Sequence, residues 1–135
     1  MIALSKYSEK RPWGSFTVLD DGKGFKVKRI TVEAGEKLSL QYHKRRSEHW
    51  TVVYGKATIT VGEEVRDLKV DESIYIPLGE KHCIANHTDD FIEIVEVQIG
   101  DYLFEDDIVR LDDCYGRTSP KSREVSSLPK GTTSA

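Results

Sequence analysis

The chain has 135 residues, of which 38% are hydrophobic and 32% charged, with a formal net charge of −3. That length holds one domain around a single buried core, the composition argues against disorder throughout, and the acidic balance leaves no broad cationic surface for nucleic-acid phosphates. The two cysteines, Cys83 and Cys114, form no CxxC pattern and suggest neither a disulfide framework nor a zinc finger.

Along the chain, short β-rich runs alternate with turn residues. GSFTVLD leads into the turn DGKG and then FKVKRITVE, where Phe25, Val27 and Arg29 alternate imperfectly with Lys26, Lys28 and Ile30. AGEK turns the chain into LSLQYH, and KRRS connects it to EHWTVVYG. KATITVG follows, then a charged segment, EEVRDLKVDE. SIYIPLGEK breaks at Pro77 and Gly79, HCIANHTDD turns near Asp89 and Asp90, and FIEIVEVQIG is the last clear strand. About eight or nine such strands predict an antiparallel sandwich or small barrel. DYLFEDDIVRLDDCYGR suggests one helical turn around EDDIVR, and from Thr118 the Ser, Thr, Pro and Lys content reads as a flexible tail, giving a domain over 1–117 and a tail over 118–135. No apolar run is long enough to cross a bilayer, and MIALSKYSEK has too short an apolar segment for a secretory signal, so a cytoplasmic protein with no membrane partner is expected.

The segment QYHKRRSEHW gathers groups that are costly to bury. Residues two apart on a strand share a face, so Gln41 and His43 point together while Tyr42 points away. A tight KRRS turn brings Glu48 beside them, and His82 begins the strand that returns after Pro77 and Gly79. Imidazole, carboxylate and amide oxygen suit a borderline divalent ion such as zinc, with manganese, cobalt, nickel or iron as other choices. The plainer reading makes His43 and His82 ordinary buried histidines, and Gln41 a strand glutamine satisfied by backbone.

The spacing then becomes specific. Gly35, Gln41, His43, Glu48 and Gly55 follow one another at intervals that resemble the first metal-site motif of the cupin superfamily, with glutamine in place of its first histidine. Asp71, Pro77, Gly79, His82 and Asn86 resemble the second, with Asp71 where glycine is usual. LSLQYHKRRSEHWTVVYGKA, SIYIPLGEKHCIAN, IEIVEVQIGDYLFEDDIVRLDDCYGR and RPWGSF resemble, more narrowly, the type II phosphomannose isomerase domain often found at the C-terminal end of bifunctional mannose-1-phosphate guanylyltransferases. The resemblance covers roughly residues 8–117. It implies an all-β cupin jelly-roll barrel, antiparallel and closed as a double-stranded β-helix. It also implies a divalent metal, and interconversion of mannose 6-phosphate and fructose 6-phosphate in the supply of GDP-mannose for polysaccharide synthesis. No glycine-rich nucleotide-binding segment precedes the matched region, so guanylyltransferase activity is expected of a separate protein. Cys83 stands where the family often has arginine, a change that removes a candidate phosphate contact, and Phe104 stands where glycine is common.

The implied reaction moves a proton between C2 and C1 of the sugar. A metal held by Gln41, His43, Glu48 and His82 would polarise the sugar oxygens. Arg46 matches the arginine of the family's RSEHW stretch that is regarded as catalytically important, and its permanent charge suits an oxyanion or a phosphate. Glu96 is the preferred acid or base because the alternation of Val95 and Val97 with Glu96 and Gln98 separates an apolar from a polar face; His49, the other candidate, is placed on the outer side by strand parity. Lys44, Arg45 and Asn86 are substrate-binding candidates, Arg11 and Arg110 weaker phosphate candidates, and His87 a surface residue. A small-molecule sugar phosphate is the expected partner, with a homodimer as the default assembly. The alternatives are a non-catalytic sugar or sugar-nucleotide binding module working with a separate nucleotidyltransferase, and, last, an iron-dependent oxygenase.

Overall fold

The computed structural model describes residues 7–112. These form eleven strands: β1 (Tyr7–Arg11), β2 (Gly14–Gly22), β3 (Phe25–Val32), β4 (Leu40–Tyr42), β5 (Arg46–Tyr54), β6 (Ala57–Val61), β7 (Glu64–Leu68), β8 (Ser73–Ile76), β9 (His82–Ala85), β10 (Ile92–Gly100) and β11 (Val109–Asp112). A six-stranded sheet has the order β1-β2-β3-β10-β5-β8, and a five-stranded sheet the order β11-β4-β9-β6-β7. Every strand pairing is antiparallel. The polypeptide changes sheet through non-strand loops such as 33–39, 43–45, 77–81 and 101–108.

This arrangement corrects the expectation of a closed jelly-roll barrel. Closure requires every strand to be paired on both sides, whereas β1 and β8 end one sheet and β7 and β11 end the other. Because the chain leaves each sheet through irregular backbone, no ladder carries round from one to the other, and the fold is a two-sheet cupin-like arrangement with open edges. The expected helical turn around EDDIVR is corrected too: a turn at Glu105 and Asp106 gives way to β11, which pairs with β4 through Val109↔Tyr42 and Arg110↔Gln41. β1 and β7 extend the sheets beyond the strands that the apolar patterning marks. The expected boundary between 117 and 118, and Cys114, lie outside the described residues.

The core gathers residues from both sheets: Ile30, Val32, Trp50, Val52, Ile76, Ile92 and Ile94 from one, Ala57, Ile59, Leu68 and Ile84 from the other. Apart from Ala57, side chains of this size contribute roughly 1.5–3 kcal/mol each on full burial, so the two faces together hold the site residues that lie between them. At Gly55 the positive φ of 85° and a Cβ position 2.7 Å from Ile92 Cγ2 both require glycine. Asp71, where the motif usually has glycine, keeps the glycine-like conformation with φ of 81°. Its turn is held by bonds from Asp71 N to Val52 O and from Glu72 N to Lys69 O, at 2.9 and 3.0 Å.

Candidate metal centre and cavity

Strand register brings the ligand candidates together. Gln41 of β4 pairs directly with His82 of β9, and His43 follows two residues later. Glu48 of β5 lies between Gln98 of β10 and Ile76 of β8. His43 Nε2 lies 3.3 Å from Glu48 Oε2, and His82 Nε2 lies 3.9 Å from Glu48 Oε1, with side-chain exposures of 3%, 1% and 1% for His43, Glu48 and His82. One donor atom from each lies within 4.8 Å of the others.

Both rings are oriented by backbone. His43 Nδ1 donates to the Asp107 carbonyl at 2.6 Å and His82 Nδ1 to the Glu80 carbonyl at 2.9 Å, which leaves each Nε2 as the lone-pair donor. Burial, helped by the Arg46 charge, pushes His43 down to about 3; burial pushes His82 down to about 4. Both therefore stay neutral near pH 7, the form that binds metal. His82 Nε2 is buried with no hydrogen-bond partner among the described residues, a costly state for a polar atom that a divalent ion would relieve. Two imidazoles and a carboxylate fit such an ion.

Around this cluster, Arg46 Nε donates to Glu48 Oε2 at 2.7 Å and its Nη2 donates to His43 Nε2 at 3.2 Å. Its Nη1 is buried without a hydrogen-bond partner among the described residues. Trp50 Nε1 is shared between Glu48 Oε1 at 2.9 Å and Glu96 Oε2 at 3.2 Å. Glu96 also accepts from Gln98 Nε2 at 2.9 Å. Desolvation, then the neighbouring Glu48 charge, raises the Glu96 carboxyl to about 7. A group with this pKa can both take and give a proton near neutrality.

Gln41, His43, Arg46 and Glu96 line one cavity together with Arg11, Lys28, Glu105 and Arg110. Apolar walls come from Trp13, Phe16, Ile30 and Trp50. Ser39 Oγ donates to Gln41 Oε1 at 3.0 Å, so the glutamine is satisfied by a side chain rather than by backbone. Lys44 and Arg45 are exposed and are not brought to the cavity. Their backbone amides bond the Asp107 carboxylate at 3.0 Å each, and the Arg45 side chain turns to Asp101 and the Tyr102 ring. Asn86 is fully buried but spends its amide on Val32 O, Asp90 O and Thr88, where it shapes a turn. His49 is exposed against Tyr75, and His87 is exposed. Cys83 is half-buried opposite Thr60 of β6. Three residues that sequence reasoning passed over matter here. Asp107 orients His43 and caps the 44–45 turn, while Lys28 and Glu105 form an ion pair on the cavity wall. The imperfect alternation of β3 was the available signal for Lys28.

Residues 4–113 match the family described as "Mannose-6-phosphate isomerase C-terminal". Mannose-1-phosphate guanylyltransferase ManC of Salmonella typhimurium is 51% identical over 107 residues, covering 79% of this chain and 22% of its own length. Xanthan biosynthesis protein XanB of Xanthomonas campestris pv. campestris is 55% identical over 108 residues, covering 80% and 23%. Alginate biosynthesis protein AlgA of Pseudomonas aeruginosa is 49% identical over 115 residues, covering 85% and 24%. The chain thus spans about a quarter of the length of these relatives. Among solved structures, a cupin-superfamily sugar phosphate isomerase from Silicibacter pomeroyi has a TM-score of 0.55 at 23% identity, covering 62% of this chain and 59% of that one. The capsular polysaccharide assembling protein CapF from Staphylococcus aureus has a TM-score of 0.65 at 21% identity, covering 78% and 32%. The two solved structures share the fold; the curated relatives and the matched family carry the closer kinship. The chain belongs to the family of mannose-6-phosphate isomerase C-terminal domains.

Proposed function

We propose that the chain is a metal-dependent sugar-phosphate isomerase that interconverts mannose 6-phosphate and fructose 6-phosphate. The observation that carries this reading is the cluster of His43, Glu48 and His82 donors, which opens through His43 onto the cavity that Glu96, a carboxyl raised to about 7, also lines. The names of the xanthan and alginate biosynthesis relatives support a place in polysaccharide synthesis, and that of the mannose-1-phosphate guanylyltransferase relative supports a link to GDP-mannose supply.

His43, Glu48 and His82 would hold the ion, with Gln41 as a fourth ligand by its register with His82. Zinc suits this donor set best, with manganese, cobalt, nickel or iron as substitutes. When bound, such an ion supplies Lewis-acid polarisation of the sugar oxygens. Glu96, as carboxylate, takes the proton from C2 of the open-chain aldose and returns it to C1. The C2–H bond breaks and a C1–H bond forms, while the C2 hydroxyl proton is lost as that oxygen becomes the ketone and O1 gains a proton. Arg46 offers N–H donors to the charge that develops on those oxygens. The apolar wall of Trp13, Phe16 and Trp50 keeps the local dielectric low, which strengthens each of these contacts.

A coupled assay of fructose 6-phosphate formation from mannose 6-phosphate, run with and without chelator, tests the reading. Chelator-sensitive turnover restored by divalent metal supports it. Inactivity after reloading several divalent metals would reject it in favour of a sugar-binding module.

A further inference from the structure

The cations that sequence order offers for phosphate, Lys44 and Arg45, are exposed and do not line the cavity, whereas Lys28 lies on its wall with 4% of its side chain exposed. We infer that Lys28 receives the phosphate of the substrate and that Glu105 holds its ammonium until that anion arrives. The inference rests on the sugar-phosphate reading above and names the group that recognises the phosphate.

Register places Lys28 where this requires. On β10, Glu96 is flanked by Lys28 of β3 on one side and Trp50 of β5 on the other. Directly opposed residues of an antiparallel ladder share a face, so Lys28, Glu96 and Trp50 enter the interior side by side. Trp50 in turn bonds Glu48. The cavity therefore runs from the metal donors past the proton-carrying carboxyl to an ammonium. A hexose 6-phosphate has the same polarity, with its reacting C1 and C2 at one end and its charge at the other. Arg46 is committed to the metal end through Glu48 and His43. Arg11 and Arg110 line the cavity as well and add positive potential there.

The partners of Lys28 are asymmetric. Its ammonium sits 4.0 Å above the Phe16 ring centroid and is fixed inside the domain. Among the described residues its one hydrogen-bond partner is Glu105, which is 42% exposed in the 101–108 loop. An ammonium has three donors, and a phosphate dianion offers more charge and more acceptor oxygens than one carboxylate. Glu105 can swing into water without uncovering core, so a phosphate can take its place. Both being anions, Glu105 and phosphate compete for Lys28.

Calorimetric titration of the full, metal-loaded chain with inorganic phosphate and with mannose 6-phosphate, alongside steady-state kinetics, tests the inference in wild type, Lys28→Met and Glu105→Gln. Phosphate affinity is expected to fall at least tenfold in Lys28→Met and to rise several-fold in Glu105→Gln, with KM for mannose 6-phosphate moving in the same sense by more than kcat does. Phosphate binding unchanged in a folded Lys28→Met protein, or weakened in Glu105→Gln, overturns it; the second variant alters an exposed side chain and remains decisive if the first does not fold. Tighter binding of GDP-mannose than of mannose 6-phosphate also overturns it, because the subsite would then serve a diphosphate diester. Phosphate binding is read without turnover. A wild type with the expected phosphate response but no isomerisation sinks the isomerase reading alone, while an active enzyme indifferent to both substitutions sinks this inference alone.

Discussion

Arg46 Nη2 donates to His43 Nε2 at 3.2 Å, the same lone pair through which that ring would hold an ion. The guanidinium is therefore a neighbour of the ion and not one of its ligands. Its two bonds link the Glu48 and His43 donors to the cavity that Arg46 lines with Glu96.

Replacing Arg46 with methionine is expected to leave metal content intact, because His43, Glu48 and His82 keep their donor atoms, while kcat falls about 10²–10³-fold, the usual loss for one oxyanion donor. Elemental analysis paired with the isomerase assay separates the two effects. Turnover at the wild-type rate would remove the role assigned to Arg46.

Glu96→Gln keeps the size of the side chain and one of the two bonds it accepts, from Trp50 at Oε2 and from Gln98 at Oε1, but cannot carry a proton. Activity should fall roughly 10²–10⁴-fold, the range for loss of a general acid or base, with metal still bound. Solvent proton exchange at C2 of mannose 6-phosphate, followed by NMR, reports the same step. Exchange persisting at the wild-type rate would assign the base elsewhere.

Stability of the metal-free chain should rise with pH between about 4.5 and 6.5. His43 and His82, neutral when folded with values near 3 and 4, ionise below about 6.5 once unfolded, so their contribution is complete above that pH and lost as pH falls toward the folded values. Glu96 opposes this: its value of about 7 against 4.5 unfolded makes its contribution full below 4.5 and lost as pH rises through 7. Two histidines outweigh one carboxyl, leaving the unfolded chain about one proton richer and a slope of roughly 1.4 kcal/mol per pH unit. Urea midpoints of chelator-stripped protein at pH 5 and 6.5 check the sign, and Glu96→Gln should steepen the trend. A flat or inverted profile would contradict it.

Asp71 holds a left-handed backbone with φ of 81° in the turn between β7 and β8. Asp71→Gly removes the Cβ penalty and is expected to stabilise the chain by about 1 kcal/mol, read as a higher urea midpoint at unchanged slope. A lower midpoint would show that the aspartate side chain contributes more than its backbone costs.

The convergence of His43, Glu48 and His82 was legible because strand parity and the Pro77–Gly79 turn are local properties of the sequence. The inward face of Glu96 and the outward face of His49 followed from the same parity. Lys44 and Arg45 were misplaced because their orientation is set by the Asp107 carboxylate, which caps their amides from more than sixty residues away. Lys28 was passed over because a lysine on an alternating strand reads as solvent-facing until its partner, Glu105, is brought across by the 101–108 loop. Closure of the sheets is a property of paired edges, and no local pattern specifies it. β11 escaped notice for a related reason: its four residues are stabilised by pairing with β4 and carry little strand signal of their own.

Zinc titration of the chelator-stripped chain at pH 7, followed by calorimetry, tests the central claim most directly. One ion per chain is expected in wild type, with affinity reduced at least a hundredfold by His82→Ala. A wild type that takes up no ion, from zinc or from any of the other divalent metals named, or a His82→Ala protein that binds as tightly as wild type, would contradict the account.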